Sequence, residues 1–346
     1  MTVYRLGTRG SVLATTQSGH VAQALGDLGV ECELVVIRTE GDTNRASLAQ
    51  LGGTGVFAAQ LREALLEGRC DLAVHSLKDL PTAQPDGLVI GAVPPRADPS
   101  DVLCSASETT LADLPPGARV GTGSPRRVAQ LLDRRPDLDV VDLRGNVDTR
   151  LARVFGPDAD LDAVVLARAG LERLGRFRTV PHYSDGSGPD VVLDADGVPR
   201  SVEVLDLLPA PGQGALAVEV RADDDTDLTR AVRALDHAPS RQTVTVERAL
   251  LARLGAGCSA PVGALATIAA TDGGTPQWSV ELQAVVGTAT GLVHRYGRAS
   301  IPAPAAPLPR WTVPSSSRWT EARPALVVDD VESLGARVAD DLLAVI

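Results

Sequence analysis

Through roughly the first 220 residues, short apolar runs alternate with stretches whose apolar positions recur every three or four residues. Residues 3–6 read as a strand, 11–28 as a helix, 32–37 as a strand and 55–66 as a helix, with further strands at 71–74 and 88–92. The pattern then restarts, with strand 119–121, a helix from Ser124, strand 140–143, a helix near 146–154 and strand 163–166. Two blocks of strands alternating with helices predict two α/β domains with mostly parallel sheets. Pro94-Pro95-Arg96-Ala97-Asp98-Pro99 is a breaker-rich crossover between them, and Leu208-Pro209-Ala210-Pro211-Gly212-Gln213-Gly214 carries the chain back. From about Thr226 the pattern changes to helices at 228–235 and 240–254, strand-like runs, and a final helix at 331–345, the signature of a smaller α+β domain. The expected division is residues 1–96 with 215–232, then 97–214, then 233–346. Residues 302–324, with six prolines and two of the three tryptophans, read as a loop or extended insertion.

Composition narrows the function classes. Aromatics are 3% of the 346 residues, so Leu, Val and Ala must fill the cores. A net charge of -11 argues against nucleic acid or a membrane surface as partner. No apolar run approaches the roughly 18 residues of a spanning helix. Met1-Thr2-Val3-Tyr4-Arg5 lacks the layout of a secretory signal. Cys32, Cys70, Cys104 and Cys258 are widely spaced with no CxxC, which gives neither a zinc spacing nor a dense disulfide framework. A reducing cytoplasm is the expected compartment.

Of 33 basic residues only one, Lys78, is a lysine. It stands in Ala73-Val74-His75-Ser76-Leu77-Lys78-Asp79-Leu80-Pro81, beside an acid and three residues after a histidine. Where arginine has replaced lysine almost everywhere, a retained lysine suggests a site that fits a compact ammonium and not a planar guanidinium, although chance survival is an equal reading on composition alone. Asp79 suits either stabilisation of a developing cation or plain capping with a surface ion pair.

Gly121-Thr122-Gly123-Ser124-Pro125-Arg126-Arg127 follows a predicted strand and opens a helix; Ser124 suits the N-cap and Pro125 the first turn. Thr8-Arg9-Gly10-Ser11 and Leu143-Arg144-Gly145-Asn146-Val147-Asp148-Thr149-Arg150 repeat the arrangement. One such loop reads as capping and solvated charge. Three at the carboxyl ends of strands in an acidic protein favour a polyanionic ligand, since helix N-termini and arginine forks both match carboxylate or phosphate. The GxxxxGK[ST] spacing is missing, which disfavours a nucleoside triphosphate. Gly255-Ala256-Gly257-Cys258-Ser259-Ala260-Pro261 leaves a predicted helix and enters a loop; Cys258 there is either a nucleophile or attachment point, or a small buried thiol.

Taken together these motifs resemble the porphobilinogen deaminase (hydroxymethylbilane synthase) family. The resemblance is carried by Gly7-Thr8-Arg9-Gly10-Ser11, the run from Ala73 to Pro81, Val120-Gly121-Thr122-Gly123-Ser124-Pro125-Arg126-Arg127, Leu143-Arg144-Gly145-Asn146, Leu208 to Ala215, and Gly257-Cys258-Ser259-Ala260-Pro261-Val262-Gly263. These run in the family's order from residue 3 to about 270. The resemblance implies two periplasmic-binding-protein-like α/β domains around a cleft, plus a smaller α+β C-terminal domain. It implies head-to-tail joining of four porphobilinogens with release of ammonia, on a dipyrromethane cofactor held through a thioether to Cys258 in a monomer. By motif position Asp79 is the catalytic acid. Arg9, Ser11, Lys78, Thr122, Ser124, Arg126, Arg127, Arg144, Arg150 and Arg173 match positions that bind cofactor or substrate carboxylates. Thr54 and Ala59 stand where many relatives have lysines, and Gly123 where serine is commoner. The rival readings are a non-enzymatic polyanion-binding protein, for which Cys258 has no role, and an inactive relative of the same fold.

Overall fold

The computed structural model describes residues 2–37, 58–180, 188–257, 259–271, 277–302 and 330–346. Cys258, Thr54 and most of 302–324 lie outside the described residues. In the first block the chain forms β1 (Tyr4–Thr8), α1 (Val12–Asp27), β2 (Cys32–Val36), α2 (Ala59–Leu66), β3 (Leu72–Ser76), one turn of 3-10 helix (Leu77–Asp79) and β4 (Leu88–Ala92). In the second it forms β5 (Asp101–Ser105), β6 (Arg119–Gly121), α3 (Pro125–Arg134), β7 (Asp139–Val141), α4 (Val147–Phe155), β8 (Ala163–Ala167), α5 (Arg168–Arg173), β9 (Phe177–Thr179), β10 (Asp190–Leu193) and β11 (Pro199–Leu205). It then returns through β12 (Leu216–Arg221), α6 (Asp227–Ala234), α7 (Ala238–Arg253), β13 (Val262–Thr271), β14 (Gln277–Thr288), β15 (Gly291–Pro302) and α8 (Val331–Leu343).

Three sheets result, ordered β2-β1-β3-β12-β4, β7-β6-β8-β5-β11-β10-β9 and β13-β14-β15. The expectation of mostly parallel sheets needs correction. In the first, β1 runs parallel to β2 and β3, but β12 runs antiparallel to both β3 and β4. In the second, β6 is parallel to β7 and β8, while β5, β11, β10 and β9 pair antiparallel. The cause lies in the crossovers. Each delivers the chain to the edge where the parallel strands finish, so the arriving strand begins where its neighbour ends. Leu216 at the start of β12 lies opposite Ser76 at the end of β3, and Asp101 at the start of β5 lies opposite Ala167 at the end of β8. A strand so placed must run against its neighbour.

Both faces of each large sheet are covered. α1 and α6 bury Val21, Leu25, Leu228 and Val232 against one face of the first sheet, and α2 buries Leu61 and Leu65 against the other. In the second lobe Leu151, Leu166 and Leu171 fill one face, and Leu103, Leu131 and Leu138 the other. In the third unit α7 and α8 close over the hairpin sheet through Leu250, Leu282, Leu334 and Val338. Each fully buried leucine contributes roughly 1.5–3 kcal/mol relative to exposure. Gly335 lets α8 approach α7 closely, because a Cβ there would strike the Val246 carbonyl.

Candidate active site

The site is assembled at the carboxyl ends of β1 and β3 and across the crossovers. At the end of β1, Ser18 of α1 donates to the Thr8 hydroxyl at 2.7 Å, which pins helix to strand. Ser11 caps α1 by accepting from the Ala14 amide at 3.3 Å. At the end of β3, Ser76 donates to Gln17 Oε1 at 3.1 Å. Leu77, 1% exposed, is buried as an anchor, and its amide donates to the Ala215 carbonyl at 3.0 Å. The turn that follows therefore presents Lys78 and Asp79 from a fixed base. Arg9, Ser11, Leu13, Ala14, Gln17, Ala58, Val74, His75, Ser76 and Asp79 line an open cavity there.

Behind this wall stands Glu219 of β12, fully buried. Arg62 forks onto it at 2.9 and 3.1 Å, Gln84 donates at 2.7 Å, and His75 Nε2 lies 3.2 Å away. Burial pushes this carboxyl up, but His75 and Arg62 outweigh burial and hold it down at about 2.

The second lobe contributes a buried charge cluster. The Asp101 carboxylate, the first residue of β5, lies 2.8 Å from Arg126 Nη2 and 2.6 Å from Arg127 Nη2, and accepts from Gln213 Nε2 at 2.8 Å. Burial alone would raise the Asp101 carboxyl, yet Arg126 and Arg127 drive it well below the ordinary carboxylate range. Gln213 also donates to the Pro99 carbonyl at 2.6 Å, and its Oε1 accepts from Lys78 Nζ at 3.3 Å. One amide on the return crossover thus links the Lys78–Asp79 turn of the first lobe to the arginine helix of the second. Burial lowers the Lys78 ammonium; Asp79 opposes this and Arg127 adds to it. The arginines are held by backbone as well: Arg126 donates to Leu208 O at 2.6 Å and Arg127 to Val165 O at 2.9 Å.

Arg150 donates to Gly145 O at 2.9 Å, and its guanidinium is brought down to about 10 by burial and by Arg127 and Arg144. Asn146 caps α4 through the Thr149 amide at 2.8 Å. Gly123 permits the two loops to meet, since a Cβ there would lie 2.7 Å from the Leu143 carbonyl. Thr122 is buried and accepts from the Ser124 amide at 3.3 Å; Ser124 is half-buried at the head of α3. Arg173 donates to the Gly214 carbonyl at 2.6 Å, so this arginine braces the return crossover.

The structure therefore gathers Arg9, Ser11 and Asp79 around one cavity, and places Arg127 within electrostatic reach of Lys78 on one side and of Arg150, itself beside Arg144, on the other. Asp79 and Asp101 oppose the charge at Lys78, and Asp142 and Asp79 that at Arg150. The Nε atoms of Arg126, Arg127 and Arg144 are buried and make no hydrogen bond. Arginines clustered with a lysine around one buried carboxylate fit a polycarboxylate ligand. Sequence reading missed Asp101 and the bridging role of Gln213. Gln213 lay inside a singled-out motif, whereas Asp101 carried no local signal beyond its place after the proline-rich crossover.

Comparison with known proteins agrees with this chemistry. Residues 4–229 match the family model described as porphobilinogen deaminase, dipyromethane cofactor binding domain, and residues 241–307 match the porphobilinogen deaminase C-terminal domain. The porphobilinogen deaminase of Micrococcus luteus is 48% identical over 99% of this chain and 93% of its own length. That of Thermobifida fusca is 55% identical over 78% of each chain. Among solved structures, the methionine-binding protein MetQ covers 67% of this chain and 89% of its own, at 14% identity and a TM-score of 0.37. That likeness is loose, and the two-lobe architecture rests on the strand topology itself. With a family model spanning more than half of its length and a near full-length relative, the chain belongs to the porphobilinogen deaminase family.

Proposed function

We propose that this chain joins four porphobilinogens head to tail to hydroxymethylbilane, releasing ammonia at each step, with Asp79 as the catalytic carboxylate and Cys258 as the attachment point. The activity is that of the family to which the chain belongs; it disfavours the reading as a non-enzymatic anion-binding protein. The observation that carries the division of labour is the placement of Asp79 in the cavity wall beside Arg9 and Ser11, next to the Lys78–Gln213–Asp101–Arg126/Arg127 linkage.

A dipyrromethane held by a thioether to Cys258 supplies the primer on which the chain grows. Arg126, Arg127, Arg144 and Arg150 would hold its carboxylates, with Thr122 and Ser124 at the head of α3 beside them. Arg9, Ser11 and Lys78 would likewise bind cofactor or substrate carboxylates. Arg173 acts through the backbone at Gly214. When porphobilinogen loses ammonia, an electron-poor azafulvene remains. The fixed Asp79 carboxylate stabilises that positive charge and accepts from the pyrrole NH.

Among the described residues no helix is long and apolar enough to cross a membrane. Cys32, Cys70 and Cys104 are free thiols, which supports a reducing, cytoplasmic setting. The deciding measurement is the intact mass of protein purified from cells, beside Cys258→Ser and Asp79→Ala. A dipyrromethane excess on the native chain and on Asp79→Ala, absent from Cys258→Ser, with turnover abolished in Asp79→Ala, is the expected result. A bare mass that stays bare after incubation with porphobilinogen, or normal turnover by Asp79→Ala, refutes the assignment.

A further inference from the structure

The catalytic turn is gripped from the third domain. α7 carries Arg241, Val244 and Arg248 at spacings of three and four, which places them along one face. Val244 packs in one cluster with Leu77 and Leu80, the two apolar anchors on either side of Lys78 and Asp79. One helical turn further on, Arg248 Nη1 donates to the Leu80 carbonyl at 2.9 Å and Nη2 to the Pro81 carbonyl at 2.7 Å. These carbonyls leave the C-terminal end of the 3-10 turn, where backbone acceptors lack helical partners. A planar guanidinium satisfies two adjacent acceptors in one fixed geometry; an ammonium is a point donor. The neighbouring Glu247 binds the crossovers, accepting from Arg96 at 2.7 and 3.0 Å and from the Gly212 amide at 2.6 Å. α7 ends at Arg253, five residues before Cys258. Arg248 itself lies outside the cavity lining.

We propose that Arg248 is a positioning residue for the reaction: by holding the Leu80 and Pro81 carbonyls it fixes where the Asp79 carboxylate stands relative to the helix that leads to Cys258. The proposal rests on the assignment of Asp79 as the catalytic carboxylate. The contact ties the acid to the element bearing the attachment loop, so that the two keep their register while the lobes accommodate a lengthening product. A carboxylate displaced by about 1 Å loses much of its effect on a charge developing beside it.

The test uses the holoenzyme, with Arg248→Ala and Arg248→Lys beside Asp79→Ala. Arg248→Ala should keep the dipyrromethane mass and a KM for porphobilinogen within about twofold, while kcat falls about 10- to 100-fold. Added guanidinium should restore part of the kcat of Arg248→Ala and none of that of Asp79→Ala; Arg248→Lys should lie between native and alanine. If Arg248→Ala does not fold, Arg248→Lys carries the same comparison of kcat against KM. Unchanged kcat, or a fall in kcat that follows loss of the cofactor and ignores guanidinium, overturns the positioning role. A normal Arg248→Ala beside a dead Asp79→Ala overturns this proposal alone, whereas normal turnover by Asp79→Ala overturns the reading on which it rests.

Discussion

Asp101→Ala is the most informative single perturbation of the charge cluster. The carboxylate is fully buried and serves Arg126, Arg127 and Gln213 together. Removing one partner from a buried ion pair costs about 3–5 kcal/mol, because the charge left behind stays desolvated. Two features soften the loss: Arg126 keeps the Leu208 carbonyl and Arg127 keeps the Val165 carbonyl. Gln213 loses one acceptor but retains Pro99 O, a change worth about 1 kcal/mol. Together these give about 4 kcal/mol, a fall in the urea midpoint on the order of 1 M. Far-UV circular dichroism of the holoenzyme across a urea series reads it directly. The sign with pH follows from the depressed Asp101 carboxyl. Its contribution is full above the ordinary carboxylate value near about 4 and is lost as pH falls below it toward the folded value. The gap between native protein and Asp101→Asn should therefore be widest at neutral pH and narrow under acid. A midpoint for Asp101→Ala within about 0.2 M of native would refute the claim that this carboxylate holds the two arginines in place.

Two further outcomes are expected. Glu219, held at about 2 against an ordinary 4.5, should contribute roughly 3 kcal/mol above pH 4.5 and lose it progressively down to pH 2. Glu219→Gln should flatten the melting temperature across that window, and an unchanged slope would count against the His75–Glu219–Arg62 arrangement. Gly335→Ala should destabilise the third domain by about 1–3 kcal/mol, because the new Cβ meets the Val246 carbonyl, a backbone atom, in the α7–α8 contact. Thermal unfolding checks it, and a native melting temperature would mean that the helices are not so closely packed.

The elements that sequence made legible are those whose signals are local. Ser124 stands at the N-cap position of α3 as expected, although its hydroxyl makes no capping hydrogen bond, whereas Ser11 and Asn146 at the repeats of that arrangement accept from amides three residues on; residues 88–92 and 119–121 are strands with the expected bounds. The strands that escaped are of another kind. β5 and β12 owe their direction to where the crossovers deliver the chain, and β9 to β11 are short antiparallel additions interrupted by charged residues. Nothing in a window of ten residues encodes a neighbour a hundred positions away.

The same distinction governs the site. A lysine retained among arginines, glycine-rich turns and paired arginines are visible in line, and they do converge. Asp101 was invisible because its meaning depends on residues 126, 127 and 213 at once. Its presence also resolves a tension left by the sequence. Two buried arginines with nothing but a ligand to neutralise them would destabilise the protein before any cofactor arrived. One carboxylate shared between them offsets that cost, yet leaves positive charge, reinforced by Lys78, Arg144 and Arg150, available for the polycarboxylate proposed to bind there. Sharing one carboxylate between two arginines is thus a compromise between folding with the site empty and keeping positive charge at the head of α3, in a chain whose overall charge is -11.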